Sequence, residues 1–267
     1  HLNRVVDMSS GQLIVLAAGD DISLPDRVAE TYKCWEADGK KALALFTQAN
    51  YLDYKGIVHG QVLSRVTPEM LTVDWMIRNA PIAHGFGLVL NRRLFDIFGP
   101  LPDDILREDV VLPVRAAILE PLKYIEMPLV YYRRHNQNLS RVPGVDIFKK
   151  NDFFTYLRRH SRGHIGICRT WIDDLNTAET FAPERKKELH RIRQIAEAKL
   201  LKTMLEDQLI DATSIQRLKI LVEAYRCNIG MQKVMEWIFI YNFPRLYLKY
   251  KSFRRRGLAK TSGALIE

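Results

Sequence analysis

Apolar residues follow one pattern in the first half of the chain, where short apolar runs alternate with segments of helical period. Residues 13–17 and 42–46 are continuous apolar runs of strand length, which is typical of strands buried on both faces. Between them, Val28, Tyr32 and Trp35 share a helical face, and Gly39 ends that segment. Strands that alternate with helices predict an α/β fold with a largely parallel sheet.

The alternation continues up to about residue 133. We predict helices over residues 68–78, 91–98 and 109–119, an extended segment over 82–90, and short strands over 123–125 and 129–133. Ser23 and Asp26 are expected to form a capping box at the start of the first helix. Pro113 is expected to lie in the opening turn of its helix, where a missing N–H does little harm.

After residue 145 the pattern changes to long helices without a convincing strand. Segments 184–207, 215–225 and 231–253 carry apolar residues at helical spacing, the last interrupted at Pro244. Residues 1–145 hold 16 Lys and Arg against 17 Asp and Glu, whereas residues 146–267 hold 24 against 14, a net charge of +10. Nine of the 11 prolines precede residue 146. We therefore predict two domains, 1–145 and a basic helical extension 146–267.

Composition excludes several protein classes. The 267 residues are 47% hydrophobic and 27% charged, which excludes a disordered or collagen-like chain. No apolar run reaches the roughly 18–20 residues that a membrane-spanning helix needs. Cys34, Cys168 and Cys227 are odd in number and form no Cys-x-x-Cys pair, which argues against a disulfide framework or a zinc site. We expect a reducing compartment, the cytoplasm.

Two adjacent carboxylates follow the first predicted strand, at Asp20 and Asp21. In open α/β sheets, ligands bind beyond the carboxyl ends of the strands. Carboxylates there offer hard oxygen ligands to Mg²⁺ or Mn²⁺, which could in turn hold a diphosphate. Alternatively, the pair only caps the next helix, although Ser23 and Asp26 are predicted to do that already. On the sequence alone both interpretations remain open.

Two further segments could carry chemistry. Glu108 and Asp109 open a predicted helix, where the helix dipole and capping favour carboxylates, but such a position can also hold a general base near a substrate hydroxyl. Residues 131–140 end a predicted strand with Arg134, His135 and small polar residues. They could bind phosphate or a metal, or simply form a surface loop.

These segments occur in the order and at spacings that resemble family 2 glycosyltransferases. The matching segments are residues 11–27 with Asp20-Asp21, residues 85–115 with Gly85-Phe86-Gly87 and Glu108-Asp109, and residues 128–140. The resemblance covers roughly residues 1–141. It implies the C-terminal portion of a GT-A (nucleotide-diphospho-sugar transferase) fold, a mixed sheet with flanking helices, followed by an all-α extension.

The resemblance also implies a role for each matching residue. Asp20 and Asp21 would bind a divalent cation, Mg²⁺ or Mn²⁺, and the sugar nucleotide, with Asp21 the preferred metal ligand. Asp109 would be the catalytic base, with Glu108 beside it toward the acceptor. His135 would reach the metal or the diphosphate, and Arg134 the diphosphate. Many members carry an Asp two places before the acidic pair, where this chain has Ala18, which puts a contact to the ribose or metal in doubt.

The implied reaction is inverting transfer of a sugar from a nucleotide-diphosphate sugar, a UDP-sugar being the expected donor, to a saccharide or lipid-linked acceptor in polysaccharide or glycoconjugate synthesis. The family's first strands, which hold the nucleotide, are missing, so we expect an N-terminally truncated and inactive fragment. Two other classes stay open: a basic helical nucleic-acid or partner-binding module, and a metal-dependent phosphate hydrolase. We rank both lower and expect no nucleic acid.

Aromatic and basic residues interleave over residues 237–256, from Trp237 to Arg256. Aromatic side chains at the lipid boundary and cations near anionic headgroups are typical of an interfacial anchor. The alternative is a helix that packs its aromatic face inside the protein. We predict peripheral contact with the inner face of a membrane through this segment, without a spanning helix.

Overall fold

The computed structural model describes residues 2–63, 65–79, 82–105, 107–134 and 150–250. By its internal contacts the chain forms two compact units. Unit 1 comprises His1–Asn138 and Gly166–Lys199, and unit 2 comprises Leu139–Ile165 and Leu200–Glu267. This division differs from the boundary predicted at residues 145 and 146, because part of the helical half of the chain packs with the first half.

Six strands of unit 1 form one mixed sheet with the order β1-β5-β3-β6-β2, and β4 pairs with the central strand β3. The strands are β1 (Leu13–Val15), β2 (Ile22–Ser23), β3 (Ala44–Leu52), β4 (Val58–Gln61), β5 (Leu88–Asn91) and β6 (Lys123–Arg133). Only the pair β3 and β6 is parallel among these described strands. The predicted α/β class with a mixed sheet is confirmed, and the largely parallel sheet expected from the alternation is wrong.

Five helices of unit 1 come from the first half of the chain: α1 (Leu2–Met8), α2 (Arg27–Ala37), α3 (Val73–Asn79), α4 (Arg93–Phe98) and α5 (Glu108–Leu119). Short 3₁₀ turns cover Pro68–Leu71, Gly85–Gly87 and Pro183–Arg185. Pro113 lies inside α5, beyond its first turn, so the prediction for it is wrong. It is buried all the same, as are all residues of α5 from Val110 to Ile118.

The predicted capping box at Ser23 and Asp26 is absent. Ser23 belongs to strand β2, and its hydroxyl accepts a hydrogen bond from Arg27 Nη1 at 2.8 Å. Asp26 is the N-cap residue of α2, but its side chain makes no capping hydrogen bond. The reason is that α2 begins only at Arg27, so Ser23 lies in a strand three residues before the N-cap position.

The central strand β3 lies at the core of unit 1, where Leu45 and Phe46 are fully buried. Two long helices follow, α6 (Lys150–Phe181) and α7 (Lys186–Asp211), and each contributes residues to both units. Within unit 1, Arg115 of α5 is tied to Asp174 of α6 by an ion pair of 2.9 Å in which both side chains are buried. Trp171 is also buried. These contacts explain why residues 166–199 join the α/β unit.

Unit 2 is helical in its described part. Besides portions of α6 and α7 it contains α8 (Ser214–Arg226), α9 (Met231–Asn242) and a further helical segment at 244–250. Thr213 and Gln216 form a reciprocal capping box that starts α8. As the sequence predicts, the helix from Met231 is interrupted at Pro244. No helix in the described ranges combines the length and the apolar character needed to span a bilayer.

Trp237 and Tyr241 lie in the core of unit 2, where they are 1% and 5% exposed. The indole of Trp237 donates a hydrogen bond to Glu206 Oε1 at 2.8 Å. The predicted membrane-facing role is therefore wrong for these two aromatic residues, which pack inside the protein. Residues 251–256 of the predicted anchor lie outside the described residues.

Candidate functional site

Asp20 and Asp21 follow strand β1 in a turn, as the sequence predicts, and both are half-buried. Asp21 Oδ1 accepts a hydrogen bond from the backbone N–H of Arg133 at 2.9 Å, and Arg133 Nε donates to the backbone carbonyl of Asp20 at 2.9 Å. Neither contact is a helix cap. The acidic pair is therefore fastened to the end of strand β6.

Burial raises the pKa of Asp21, and the neighbouring charge of Asp20 raises it further, although the hydrogen bond from Arg133 opposes both effects. A bound cation would relieve the repulsion between the two carboxylates. Mg²⁺ in proteins commonly takes one or two carboxylates and completes its shell with water and substrate phosphates. The two carboxylates of this turn fit such a cation. In the described ranges no cluster of three or more His, Cys, Asp or Glu side chains could hold a metal ion with protein ligands alone.

Arg27 connects the strand that leads into the acidic pair to a second segment of the site. Its guanidinium is buried, with Nη2 donating to the carbonyl of Leu16 at 2.7 Å and to that of Phe86 at 2.8 Å. Leu16 lies just after β1, and Phe86 lies in the turn Gly85–Gly87. Sequence reasoning missed this role, because the contact joins residues 59 positions apart and nothing around Arg27 signals burial.

The turn Gly85–Gly87 lies against the start of α5. A Cβ atom at Gly85 would stand 3.6 Å from Glu108 Oε1 and 3.7 Å from Asp109 Cβ. At Gly87, a Cβ atom would stand 2.7 Å from the carbonyl oxygen of Thr47, which leaves no room for any side chain. Gly87 thus allows this turn to lie close against strand β3, whereas a side chain at Gly85 would meet the predicted catalytic residues only at ordinary contact distance.

Asp109 is half-buried at the N-terminus of α5, and the nearest cation in this segment is Arg107, whose Nε lies 3.9 Å from Asp109 Oδ1. Burial raises the pKa of Glu108, and the charge of Asp109 adds to the effect. Burial lowers the pKa of His84 below its usual range, which favours the neutral imidazole, although Asp109 opposes the shift. Asp109 therefore lies among two titratable groups, His84 and Glu108, whose neutral forms are both favoured by burial.

A row of rings leads away from His84. Its ring centroid lies 5.3 Å from that of Phe86, which lies 4.8 Å from Tyr132, which in turn lies 6.1 Å from Tyr51. The guanidinium of Arg134 stands 5.6 Å from the Tyr51 ring and ends the row. Tyr51 and Tyr132 come from the adjacent strands β3 and β6, and His84 and Phe86 come from the Gly85–Gly87 turn and the residue before it. Of these rings Phe86 is buried, and the half-buried tyrosine rings are suited to stacking on a sugar or a base. We call this set the aromatic row.

Unit 1 thus connects most of the residues that the sequence singled out. Asp20 and Asp21 bind strand β6 through Arg133, and the aromatic row links β6 to the Gly85–Gly87 turn. A Cβ atom at Gly85 of that turn would come within contact distance of Glu108 and Asp109. Arg134 lies at the far end of the row. His135 lies outside the described residues.

A separate polar cavity of about 320 Å³ lies at strands β3, β4 and β6 of unit 1. Gln48 forms part of its wall, with its amide bonded to the backbone of Leu63 and to the hydroxyl of Tyr124. Arg65 and Glu126 also line it. The register between β3 and β6 shifts at Gln48, which is the kind of strand irregularity that opens space in a sheet.

No protein-family model matches the chain, and the comparison with curated proteins finds no significant relative. The arrangement of the residues therefore carries the functional argument by itself.

Proposed function

We propose that the chain carries the acceptor-side and metal-binding residues of an inverting glycosyltransferase of the family 2 type. The observation that carries this proposal is the series of neighbouring groups from Asp20 and Asp21 through Arg133 and the aromatic row to His84, whose pKa responds to the charge of Asp109. A structural cap would need none of these connections. A transferase needs an anion-binding end and a base, held at fixed positions relative to each other.

In this proposal Asp109 accepts the proton of an acceptor hydroxyl as the hydroxyl oxygen attacks the anomeric carbon, with inversion. Glu108, whose pKa is raised by burial, is suited to hydrogen-bond the acceptor sugar. Asp21 and Asp20 would hold a divalent cation, which would supply positive charge for the departing nucleoside diphosphate. Arg134 is proposed to bind the same anion, and His135, which lies outside the described residues, is proposed to do so too. The aromatic row offers ring faces to the sugar.

The donor is proposed to be a nucleotide-diphosphate sugar such as a UDP-sugar, and the acceptor a saccharide or a lipid-linked saccharide. The cytoplasm is the proposed location, which agrees with three cysteines that form no disulfide.

Asp109→Asn tests the base in protein that is active in sugar transfer. We expect sugar transfer to fall by about 10²–10⁴-fold while donor binding is kept, because a positioned base contributes that much to rate. Asp103→Asn is the matched control, since Asp103 is an exposed carboxylate of the same segment. Transfer at a wild-type rate in Asp109→Asn would contradict the base assignment. Phosphate release without any acceptor would instead support the hydrolase alternative.

Asp21→Asn tests the metal site while preserving the shape that accepts the Arg133 N–H. We expect it to abolish the Mn²⁺ dependence of UDP binding in calorimetry, because it removes the charged ligand. Asp26→Asn is the control, since Asp26 is exposed in the same loop and makes no capping bond. Metal-dependent binding that persists unchanged in Asp21→Asn would exclude this residue as a ligand.

A further inference from the structure

Helix α8 presents an apolar face to solvent. Ile215, Leu218, Val222 and Tyr225 are 72%, 65%, 44% and 64% exposed. At 3.6 residues per turn these positions form a single stripe, about 80° wide, along the helix. The other side of α8, at Ala224, is buried in the core of unit 2. These four residues, the α8 stripe, are therefore the solvent side of a helix whose packing side is already occupied.

Cations lie next to the stripe. Lys219 and Arg226 are exposed, and helical geometry places both within about 60° of Ile215. The nearest carboxylate to Arg226 on this helix is Glu223, at a distance of 4.0 Å. An aliphatic stripe bordered by basic side chains is the composition of a helix that lies in a membrane interface.

The same arrangement recurs in the helical segment at 244–250. Leu246 and Tyr250 are 57% and 54% exposed at positions i and i+4, Phe243 just before the segment is 52% exposed, and the exposed Lys249 lies about 60° from Leu246 around the helix. Two separate helices of unit 2 therefore each place apolar and basic side chains together in water. One such stripe could be incidental, but the repetition within one unit indicates a common kind of partner.

Net charge indicates the sign of that partner. Unit 2 contains 18 Lys and Arg against 8 Asp and Glu, a net charge of +10, whereas unit 1 contains 22 against 23. Two copies of unit 2 would repel each other, which disfavours self-association through the stripe. An anionic surface would instead be attracted, and each basic residue close to anionic lipid strengthens the attraction.

We propose that the α8 stripe docks unit 2 onto the surface of an anionic lipid bilayer, with Lys219 and Arg226 at the headgroups. A fluid bilayer accepts a convex helix face without a matching groove, so four side chains and two cations suffice for shallow insertion. Tyr225 suits the boundary, because its ring is apolar and its hydroxyl remains wet. In this proposal the α8 stripe contacts the membrane instead of Trp237 and Tyr241, because those two residues are buried.

The test measures partitioning of the full 267-residue chain onto vesicles of equimolar phosphatidylcholine and phosphatidylglycerol at low salt. We expect the wild type to bind these vesicles, to bind pure phosphatidylcholine far less, and to dissociate as salt is raised. The double variant Leu218→Asn with Val222→Asn should lower the partition coefficient by at least about tenfold, because both side chains would lose their burial in lipid. Both positions are exposed, so circular dichroism should show an unchanged fold.

Val28→Asn is the matched control, since Val28 is 63% exposed on helix α2 of unit 1 and should not matter. A chain that ends at Tyr250 separates the stripe from the basic residues that follow. The proposal is overturned if the wild type does not bind the vesicles, or if the double variant binds as well as the wild type. It is also overturned if only the shortened chain loses binding, if the wild type is a dimer that the double variant makes monomeric, or if duplex DNA competes fully with the vesicles.

Discussion

Replacing Arg115 by methionine should leave a carboxyl group buried without its cation. Asp174 is 3% exposed, and its carboxylate accepts from Arg115 Nε at 2.9 Å. Arg115 also donates through Nη1 to the carbonyl of Gly99 at 2.9 Å, so it joins α5 to both α6 and the end of α4. Burial raises the pKa of Asp174 to about 6 even with the guanidinium present. Because the pKa of Asp174 is higher in the folded than in the unfolded protein, the protonation of Asp174 favours the folded state. This contribution to stability is complete below a pH of about 3.8 and is lost as the pH rises through 6.

The magnitude follows from proton uptake. In Arg115→Met, the carboxyl group of Asp174 can avoid an unpaired charge by binding a proton when the protein folds. The carboxyl group has a pKa of 3.8 in the unfolded chain, and each pH unit above that value adds about 1.36 kcal/mol to the cost of binding the proton. The uptake therefore costs about 4 kcal/mol at pH 7 and between about 1 and 2 kcal/mol at pH 5. An asparagine at position 174 needs no proton. In the Arg115→Met background, Asp174→Asn should therefore increase the free energy of unfolding by up to about 4 kcal/mol at pH 7, and by much less at pH 5.

The assay is urea unfolding at both pH values for the wild type, the two single variants and the double variant. Lys123→Met is the control, because Lys123 pairs with Asp38 in a more exposed ion pair and should change stability by less than about 1 kcal/mol. The reasoning is refuted if the double variant is no more stable than Arg115→Met at pH 7. A difference between these two proteins that is the same at pH 5 and pH 7 would refute it as well.

Two further predictions concern packing. Gly87→Ala should lower the free energy of unfolding by about 1–3 kcal/mol, because the new Cβ would stand 2.7 Å from the Thr47 carbonyl oxygen. The control is Gly60→Ala, where a Cβ meets open space and the urea midpoint should stay almost unchanged. Equal urea midpoints for the two variants would contradict the prediction. Trp237→Phe should lower the thermal midpoint through the loss of about 1–2 kcal/mol, because it removes the hydrogen bond to Glu206, and a midpoint equal to that of the wild type would show that this bond does not stabilise unit 2.

Hydrophobic patterning predicts the kinds of elements in unit 1 but not how the strands run. Residues 13–17, 42–46 and 82–90 each contain part of an observed strand. Their apolar runs report burial on both faces, and burial is the same whether a neighbouring strand is parallel or antiparallel. Strand β5 is antiparallel to both β1 and β3, and no local signal distinguishes this from the parallel arrangement.

Periodicity likewise cannot say whether an apolar face has a partner. Leu189 and Ile192 form a helical stripe that is buried, whereas Ile215 and Leu218 form an equally regular stripe that is exposed. The amphipathic pattern is the same in both helices, and only tertiary contacts separate them.

The candidate site was partly accessible from the sequence. The carboxylates were found because an acidic pair after a strand and a Glu-Asp pair at a helix start are local signals. Arg27 and His84 were missed because their roles arise from contacts with distant segments. Arg27 donates to the carbonyl of Phe86, 59 positions later in the chain. The pKa of His84 is lowered by burial and raised by Asp109, which lies in a later segment.

Helices α6 and α7 run without interruption from one unit into the other, crossing at residues 165–166 and 199–200. At these two crossings the chain offers no linker that a protease could cut or a cloning boundary could follow; the third crossing, between residues 138 and 139, lies outside the described residues. Expressing either unit alone would require cutting both helices in their interiors, which would leave unpaired backbone groups at the new ends. We therefore expect the basic helical unit and the α/β unit to be inherited together.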